Sequence, residues 1–246
     1  MAGQKIGPTG GLSSCYRRAA VVALTGIVLS SCGTSGPARS AGTGLKGHRP
    51  APTTTTTTTP PTTTTSTTDP GLLAQTDVEP SNGASLQAEM GQLWQAIVDG
   101  SFDEARPLFF PPTAYLQMKT GVISDPATDY ADRLIAFYSL DLSAYRDLVA
   151  QPGSGARLVG VLVNPGDAAW IGPHTCENLI GYWHLPGLRL VYQVGSATYS
   201  FAVASLISWR GVWYVVHLGP NPRPENVGTV DQPASGPGTP GPPGGC

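Results

Sequence analysis

The chain has 246 residues, a formal net charge of −2, 31 glycines and 24 prolines. Charged residues make up only 12% of it, and the basic residues form no patch of the kind that binding to a phosphate backbone requires. The composition therefore gives no support for a nucleic-acid partner. The abundance of glycine and proline indicates that part of the chain contributes little to a hydrophobic core.

The N-terminal segment has the layout of an export signal. Arg17 and Arg18 precede an apolar run at residues 19–29, and two serines follow it. At about 1.5 Å per helical residue, this run is too short to span the roughly 30 Å of a bilayer's hydrocarbon core. The sequence therefore predicts a signal peptide over residues 1–31 rather than a membrane helix.

The end of this segment, Leu29-Ser30-Ser31-Cys32, resembles the lipobox of bacterial lipoproteins. In that family the cysteine becomes the first residue of the mature protein and carries a lipid. The resemblance implies lipidation of Cys32, attachment to the membrane through that lipid, and a position on the extracytoplasmic face of the cell membrane. The alternative is a plain secretory signal that happens to contain a cysteine.

Low-complexity segments flank the centre of the chain. Residues 32–82 are predicted to form a disordered stalk, because residues 53–68 are all threonine apart from two prolines and a serine and have no apolar surface to bury. The stalk resembles the O-glycosylated stalks of exported actinobacterial proteins, with an unmodified spacer as the alternative. Residues 223–246 are predicted to be a disordered Pro/Gly-rich tail.

Residues 83–222 have the length of one domain, and its first half has helical periodicity. Apolar residues at spacings of three and four predict a first helix that ends at Asp99-Gly100. Asp125 is predicted to be an N-cap, with Pro126 at the first helical position. In all, helices are predicted over 85–100, 102–109, 125–140 and 142–149.

From Ala156 onward the hydrophobic period changes to that of strands. A sequence of helices followed by a strand meander predicts an α+β fold in which N-terminal helices pack on an antiparallel sheet. The predicted strands are 156–163, 167–172, 176–183, 188–194, 198–209 and 212–218.

This order of elements, helped by GQLWQAIVDGSFDEARPLF at residues 91–109, resembles the cone fold of the SnoaL-like and ketosteroid-isomerase-like superfamily, also named for nuclear transport factor 2. The resemblance implies a strongly curved sheet with a pocket inside the cone. It does not specify an activity, because the superfamily includes dehydratases, isomerases, cyclases and epoxide hydrolases beside non-catalytic binding domains.

His217 is the candidate catalytic base, on the last predicted strand. Strand alternation predicts that it shares a face with Trp213 and Val215. Because no Asp or Glu occurs from residue 178 to residue 224, its acid partner has to come from elsewhere, and the helical Asp129 is the candidate. A core histidine satisfied by one or two hydrogen bonds is the alternative.

Cys176 and Cys246 are the cysteines that remain once the signal peptide is removed and Cys32 is lipidated. In an oxidising compartment they are candidates for a disulfide, and a free Cys246 is the alternative. His174 is predicted to share a strand face with Cys176, which makes it a candidate base for a thiolate. The pattern lacks metal-ligand spacing, and structural roles are preferred for these residues.

The sequence supports two hypotheses on function. In the first, a non-enzymatic envelope lipoprotein binds an apolar small ligand or an envelope protein. In the second, the domain is a small-molecule lyase, isomerase or hydrolase that uses His217 with a helical carboxylate. No cofactor and no metal is predicted for either. The candidate ligand-binding residues are Tyr138, Trp183, Trp213 and His217.

Overall fold

The computed structural model describes residues 69–150, 155–223 and 226–246. The predicted signal peptide, Cys32 and the predicted stalk up to residue 68 lie outside the described residues. Within the described ranges, no helix is long and apolar enough to cross a membrane.

The helices occupy the first half of the described domain. They are α1 (Ala84–Asp99), α2 (Phe102–Ala105), α3 (Pro112–Lys119), α4 (Pro126–Asp129) and α5 (Ala136–Val149). A π-helical segment, Tyr130–Ile135, joins α4 to α5 in one continuous helical stretch. Short 3₁₀ turns occupy Pro70–Leu72, Arg106–Leu108 and Pro165–Asp167.

Local sequence signals account for where these helices begin and end. Gly100 ends α1 with a φ of 66°, in the left-handed region that glycine adopts without strain. Asp125 caps α4 by accepting a hydrogen bond from the Thr128 amide at 3.0 Å, and Pro126 follows at the first helical position. Both predicted boundaries are confirmed.

The second half forms an open antiparallel sheet. Its strands are β1 (Arg157–Leu162), β2 (Ala169–Ile171), β3 (Tyr182–Val194), β4 (Ala197–Trp209), β5 (Val212–His217) and β6 (Asp231–Ser235). The order is β1-β3-β4-β5, with β2 also paired to β3 and β6 also paired to β4. The predicted α+β class with an antiparallel sheet is confirmed, and this sheet is compatible with a cone fold.

Some elements of the structure differ from the prediction. The predicted strand 176–183 is wrong, because residues 173–181 form turns in which His174 and Cys176 have φ angles of 61° and 53°. They therefore share no strand face. Helix α3 was not predicted, because two consecutive prolines such as Pro111-Pro112 commonly follow the end of a helix. Pro112 instead occupies the first position of α3, where its missing N–H costs nothing.

The predicted disorder is also wrong for the described parts of both flanking segments. In the last part of the predicted stalk, Gln75 donates a hydrogen bond to the Ser208 carbonyl at 2.9 Å. In the tail, β6 pairs with β4. A glycine-rich composition predicts disorder, but here glycine lets the tail backbone pack closely against the sheet. A Cβ at Gly244, for example, would lie only 2.5 Å from the His184 carbonyl oxygen.

Helix α1 packs on the face of the sheet that carries Tyr192 of β3 and Phe201 of β4. The Trp94 ring of α1 lies with its centroid 5.3 Å from that of Tyr192 on β3 and 6.1 Å from that of Phe201 on β4. Strand alternation places Phe201 and Ser205 on the same face of β4. One end of this face is therefore covered by α1, and polar residues follow at the other end.

Candidate functional site

A cavity of about 470 Å³ lies between the helices and the polar end of this sheet face. Its helical wall comes from α3, α4 and the π-helical segment, and residues of the C-terminal tail contribute to its rim. The polar and tail residues that line it include Tyr115, Lys119, Asp129, Arg133, His184, Ser205, His217, Gly245 and Cys246.

A β-bulge brings His217 into this cavity. Ser205 pairs with His217 whereas Leu206 pairs with Val215, so Val216 is an extra residue on β5. The extra residue places His217 on the face of Ser205, and not on the face of Val215 as strand alternation predicted. A bulge depends on the partner strand, so the alternation of β5 alone gave no signal for it.

His217 is half-buried in the cavity and has a strongly perturbed pKa. Burial lowers the pKa of its imidazole to about 4, and the positive charges of Arg133 and Arg223 act in the same direction. Its ring nitrogens have no hydrogen-bond partner among the described residues. The ring is therefore neutral at neutral pH and offers one N–H donor and one nitrogen acceptor to whatever occupies the cavity.

Unfolding as a function of pH tests this state of His217. The unfolded chain takes up a proton on His217 near pH 6.5 and the folded chain only near pH 4, so stability falls as pH drops through this window. From pH 7 to about pH 4.5, wild type is expected to lose about 2 to 3 kcal/mol more than His217→Gln in urea unfolding. Asp231 and Glu89 have raised pKa values, which make stability rise as pH drops. Because both proteins contain these two residues, their contribution cancels in the difference between wild type and variant. Equal losses in the two proteins would contradict the prediction.

His184 joins β3, β4 and the tail through its two ring nitrogens. Its Nε2 lies 2.8 Å from Ser205 Oγ, and its Nδ1 lies 2.7 Å from the Gly245 carbonyl oxygen. Since a carbonyl oxygen only accepts, the proton sits on Nδ1, and Nε2 accepts the hydrogen bond from the Ser205 hydroxyl. The Gly245 amide also lies 3.3 Å from Nδ1, a longer contact that would need the opposite tautomer. Burial lowers the pKa of His184, which favours the neutral ring.

Asp129 lines the same cavity as His217, but its carboxylate is engaged elsewhere. Arg133 donates two hydrogen bonds of 2.6 Å to it, and the Tyr115 hydroxyl donates a third. The Arg133 guanidinium holds the pKa of this carboxyl below its usual range. No hydrogen bond joins Asp129 to His217 in the described structure, so the structure brings the two predicted catalytic residues to one cavity without pairing them.

The three aromatic residues predicted to bind a ligand do not line this cavity. Tyr138 is 1% exposed, and its hydroxyl donates to the Ala105 carbonyl at 2.9 Å. The indole of Trp183 donates to the Asp77 carbonyl at 2.9 Å. That of Trp213 donates to the side chain of Asn82 at 3.0 Å. Both tryptophans thus hold the segment that was predicted to be stalk.

A disulfide joins Cys176 and Cys246, with a Cα–Cα distance of 5.4 Å. Cys176 therefore has no free thiol to be activated, which contradicts the hypothesis of a thiolate beside His174. Among the described residues, no group of three or more His, Cys, Asp or Glu side chains is placed to hold a metal ion. The disulfide fixes the tail at the rim of the cavity, next to Gly245.

The site as built is more polar than the sequence indicated. Ser205 gave no signal, because its partners come from another strand and from the tail. The sequence pattern assigned no role to His184. Arg133 gave no signal in the helical pattern; it lies in the π-helical segment and lines the cavity.

The protein is thus an α+β domain in which helices cover one face of an open antiparallel sheet and leave a cavity at the polar end of that face. In comparisons with protein-family models, with curated proteins and with solved structures, nothing matches this chain. The resemblance to the cone-fold superfamily stays a prediction from the order of elements.

Proposed function

We propose that this protein is a lipid-anchored protein of the cell envelope whose α+β domain binds a small amphipathic molecule. The observation that carries the binding proposal is the cavity of about 470 Å³, which is in the usual range of small-molecule sites. The anchoring proposal is supported by the lipobox resemblance at Leu29–Cys32.

The two kinds of lining residue indicate the chemistry of the ligand. Apolar side chains of both walls suit a hydrocarbon body; they include Met118, Leu134, Ile207 and Val216. At the polar end, Lys119 uses one of its three N–H groups on the Glu177 carbonyl at 2.8 Å. The Asp129 carboxylate is engaged by Arg133 and Tyr115, and the Glu177 carboxylate, which also lines the cavity, lies near the charge of Lys119. The donors left for a ligand at this end are the remaining N–H groups of Lys119 and the N–H of His217. The ligand that fits has an apolar body and acceptor oxygens, as in an acid or an ester.

Mass spectrometry of the exported protein, extracted from membranes, tests both halves of the proposal. For the anchor, peptide mapping is expected to show a lipid adduct on the peptide that starts at Cys32. For the ligand, unfolding of the protein is expected to release a copurified small molecule. Val216→Trp, which fills the cavity, is expected to lower the amount of bound molecule at least tenfold.

Val212→Trp is the matched control, because Val212 lies on the same strand, is 39% exposed and does not line the cavity. It is expected to retain the bound molecule. Equal binding by the two tryptophan variants would show that the ligand occupies another place. The absence of any bound molecule, with amphipathic acids and esters then failing to bind in titrations, would refute the binding proposal.

A further inference from the structure

We propose that Ser205 and His184 form a nucleophile and general base that hydrolyse a carboxylic ester bound in the cavity, with the N–H of His217 stabilising the oxyanion. This inference rests on the proposed function, since the same cavity has to bind the ester. It assigns to His184 the role of base that the sequence suggested for His217.

The hydrogen bonds of His184 support the first two roles. An activated serine needs a base within hydrogen-bond reach and a third group that orients the base. Ser205 Oγ is 2.8 Å from Nε2, and the Gly245 carbonyl oxygen, 2.7 Å from Nδ1, fixes the tautomer. A neutral carbonyl stabilises the imidazolium that forms less than a carboxylate does, so we expect a slow hydrolase.

Ser205 lies where two cavities meet, and this position indicates how an ester would be placed. A second cavity of about 380 Å³ adjoins the first, and both are lined by His184, Ser205 and His217. The second cavity is also lined by Asp231 and Gln232 of the tail. An ester whose apolar acyl part fills the first cavity and whose polar alcohol part fills the second has its carbonyl carbon at Ser205.

His217 meets the requirement for an oxyanion donor. The bulge places it directly across from Ser205 in the strand pairing, on the same face. Its ring makes no hydrogen bond to the described residues, so its N–H is free for the ligand. A neutral imidazole in a buried site can donate such a hydrogen bond as the negative charge develops.

The reaction balances without an oxidant or a metal. Ser205 Oγ attacks the ester carbonyl carbon while its proton moves to His184 Nε2. The bond between the carbonyl carbon and the alcohol oxygen breaks, and the alcohol leaves with the proton from His184. Water then attacks the acyl group on Ser205 and gives a proton to His184, the acid departs, and Ser205 regains its proton. The net change is ester plus water to acid plus alcohol.

Covalent labelling of the full-length, disulfide-bonded protein tests the proposal. A fluorophosphonate probe is expected to label one serine, Ser205, identified by peptide mass mapping. Hydrolysis of p-nitrophenyl butyrate and octanoate is expected to fall by about a hundredfold or more in Ser205→Ala and in His184→Gln, as general-base loss does. His217→Gln is expected to keep the label but to slow hydrolysis by about tenfold to a hundredfold.

Ser143→Ala on the exposed face of α5 is the matched control and is expected to react as wild type does. Circular dichroism of each variant establishes that it is folded. No labelling of the wild type, or labelling that persists in Ser205→Ala, would overturn the proposal. If the wild type binds the copurified molecule but is neither labelled nor hydrolytic, the ligand-binding function stands and this inference alone fails.

Discussion

Replacing Asp141 with alanine is expected to lower the free energy of unfolding by about 3 to 5 kcal/mol, because it leaves a buried charge without its partner. Asp141 is 1% exposed, and the Arg223 side chain bound to it is 4% exposed. The two Arg223 donors lie 2.8 and 2.5 Å from its oxygens. The amides of Gly219 and Thr229 also donate to this carboxylate, each at 3.0 Å, and both would lose their acceptor.

Urea unfolding of wild type and variants measures this effect. Asp132→Ala, an exposed acid of the same helical stretch, is the control and is expected to change stability by less than about 0.5 kcal/mol. The double variant Asp141→Leu with Arg223→Met is expected to be more stable than Asp141→Ala, because neither a charge nor its partner is then left buried. A loss below about 1 kcal/mol in Asp141→Ala would show that Arg223 finds another partner.

This ion pair also explains why the C-terminal segment is ordered. Asp141 on α5 holds the chain that leaves β5, through Gly219, Arg223 and Thr229. Shortly after, the Asp231 amide donates to the Tyr145 hydroxyl at 2.9 Å, at the start of β6. The tail is thus fixed by α5 before it reaches the cavity, although its own composition offers almost no apolar side chains.

The sequence predicted those features whose causes are local. The left-handed end of α1 at Gly100 and the cap at Asp125 depend on neighbouring residues, and the alternation of β4 depends on one strand. These gave the α+β class and the antiparallel sheet. The helix after Pro111 was missed because the same dipeptide that ends one helix can begin another.

The candidate site was only partly predictable, because it depends on pairing between distant segments. The sequence singled out His217 and Asp129 as candidate catalytic residues, and both line the cavity. The bulge at Val216, which turns His217 toward Ser205, exists only in the pairing of β4 with β5. The partner that orients His184 is a backbone carbonyl of the tail, which no side-chain pattern can indicate.

The disulfide between Cys176 and Cys246 is expected to have the second large effect. Its cysteines are 70 residues apart, and closing a loop of this length in the unfolded chain corresponds to about 4 kcal/mol of stability at 25 °C. Replacing both cysteines with serine, or reducing the bond, is therefore expected to lower the free energy of urea unfolding by about that amount. The reductant is expected to have no further effect on the serine variant, which serves as the control.

The same change separates the stabilising role of the tail from its role at the site. Without the disulfide the Gly245 carbonyl is no longer held at His184 Nδ1, so labelling of Ser205 is expected to slow even under conditions where the protein stays folded. Binding of the apolar part of the ligand, which depends on Ile207 and Val216 of the sheet, is expected to weaken less. A reduced protein that keeps both its stability and its labelling rate would show that the tail is held by β6 and α5 alone, and that His184 needs no help from the C-terminal cysteine.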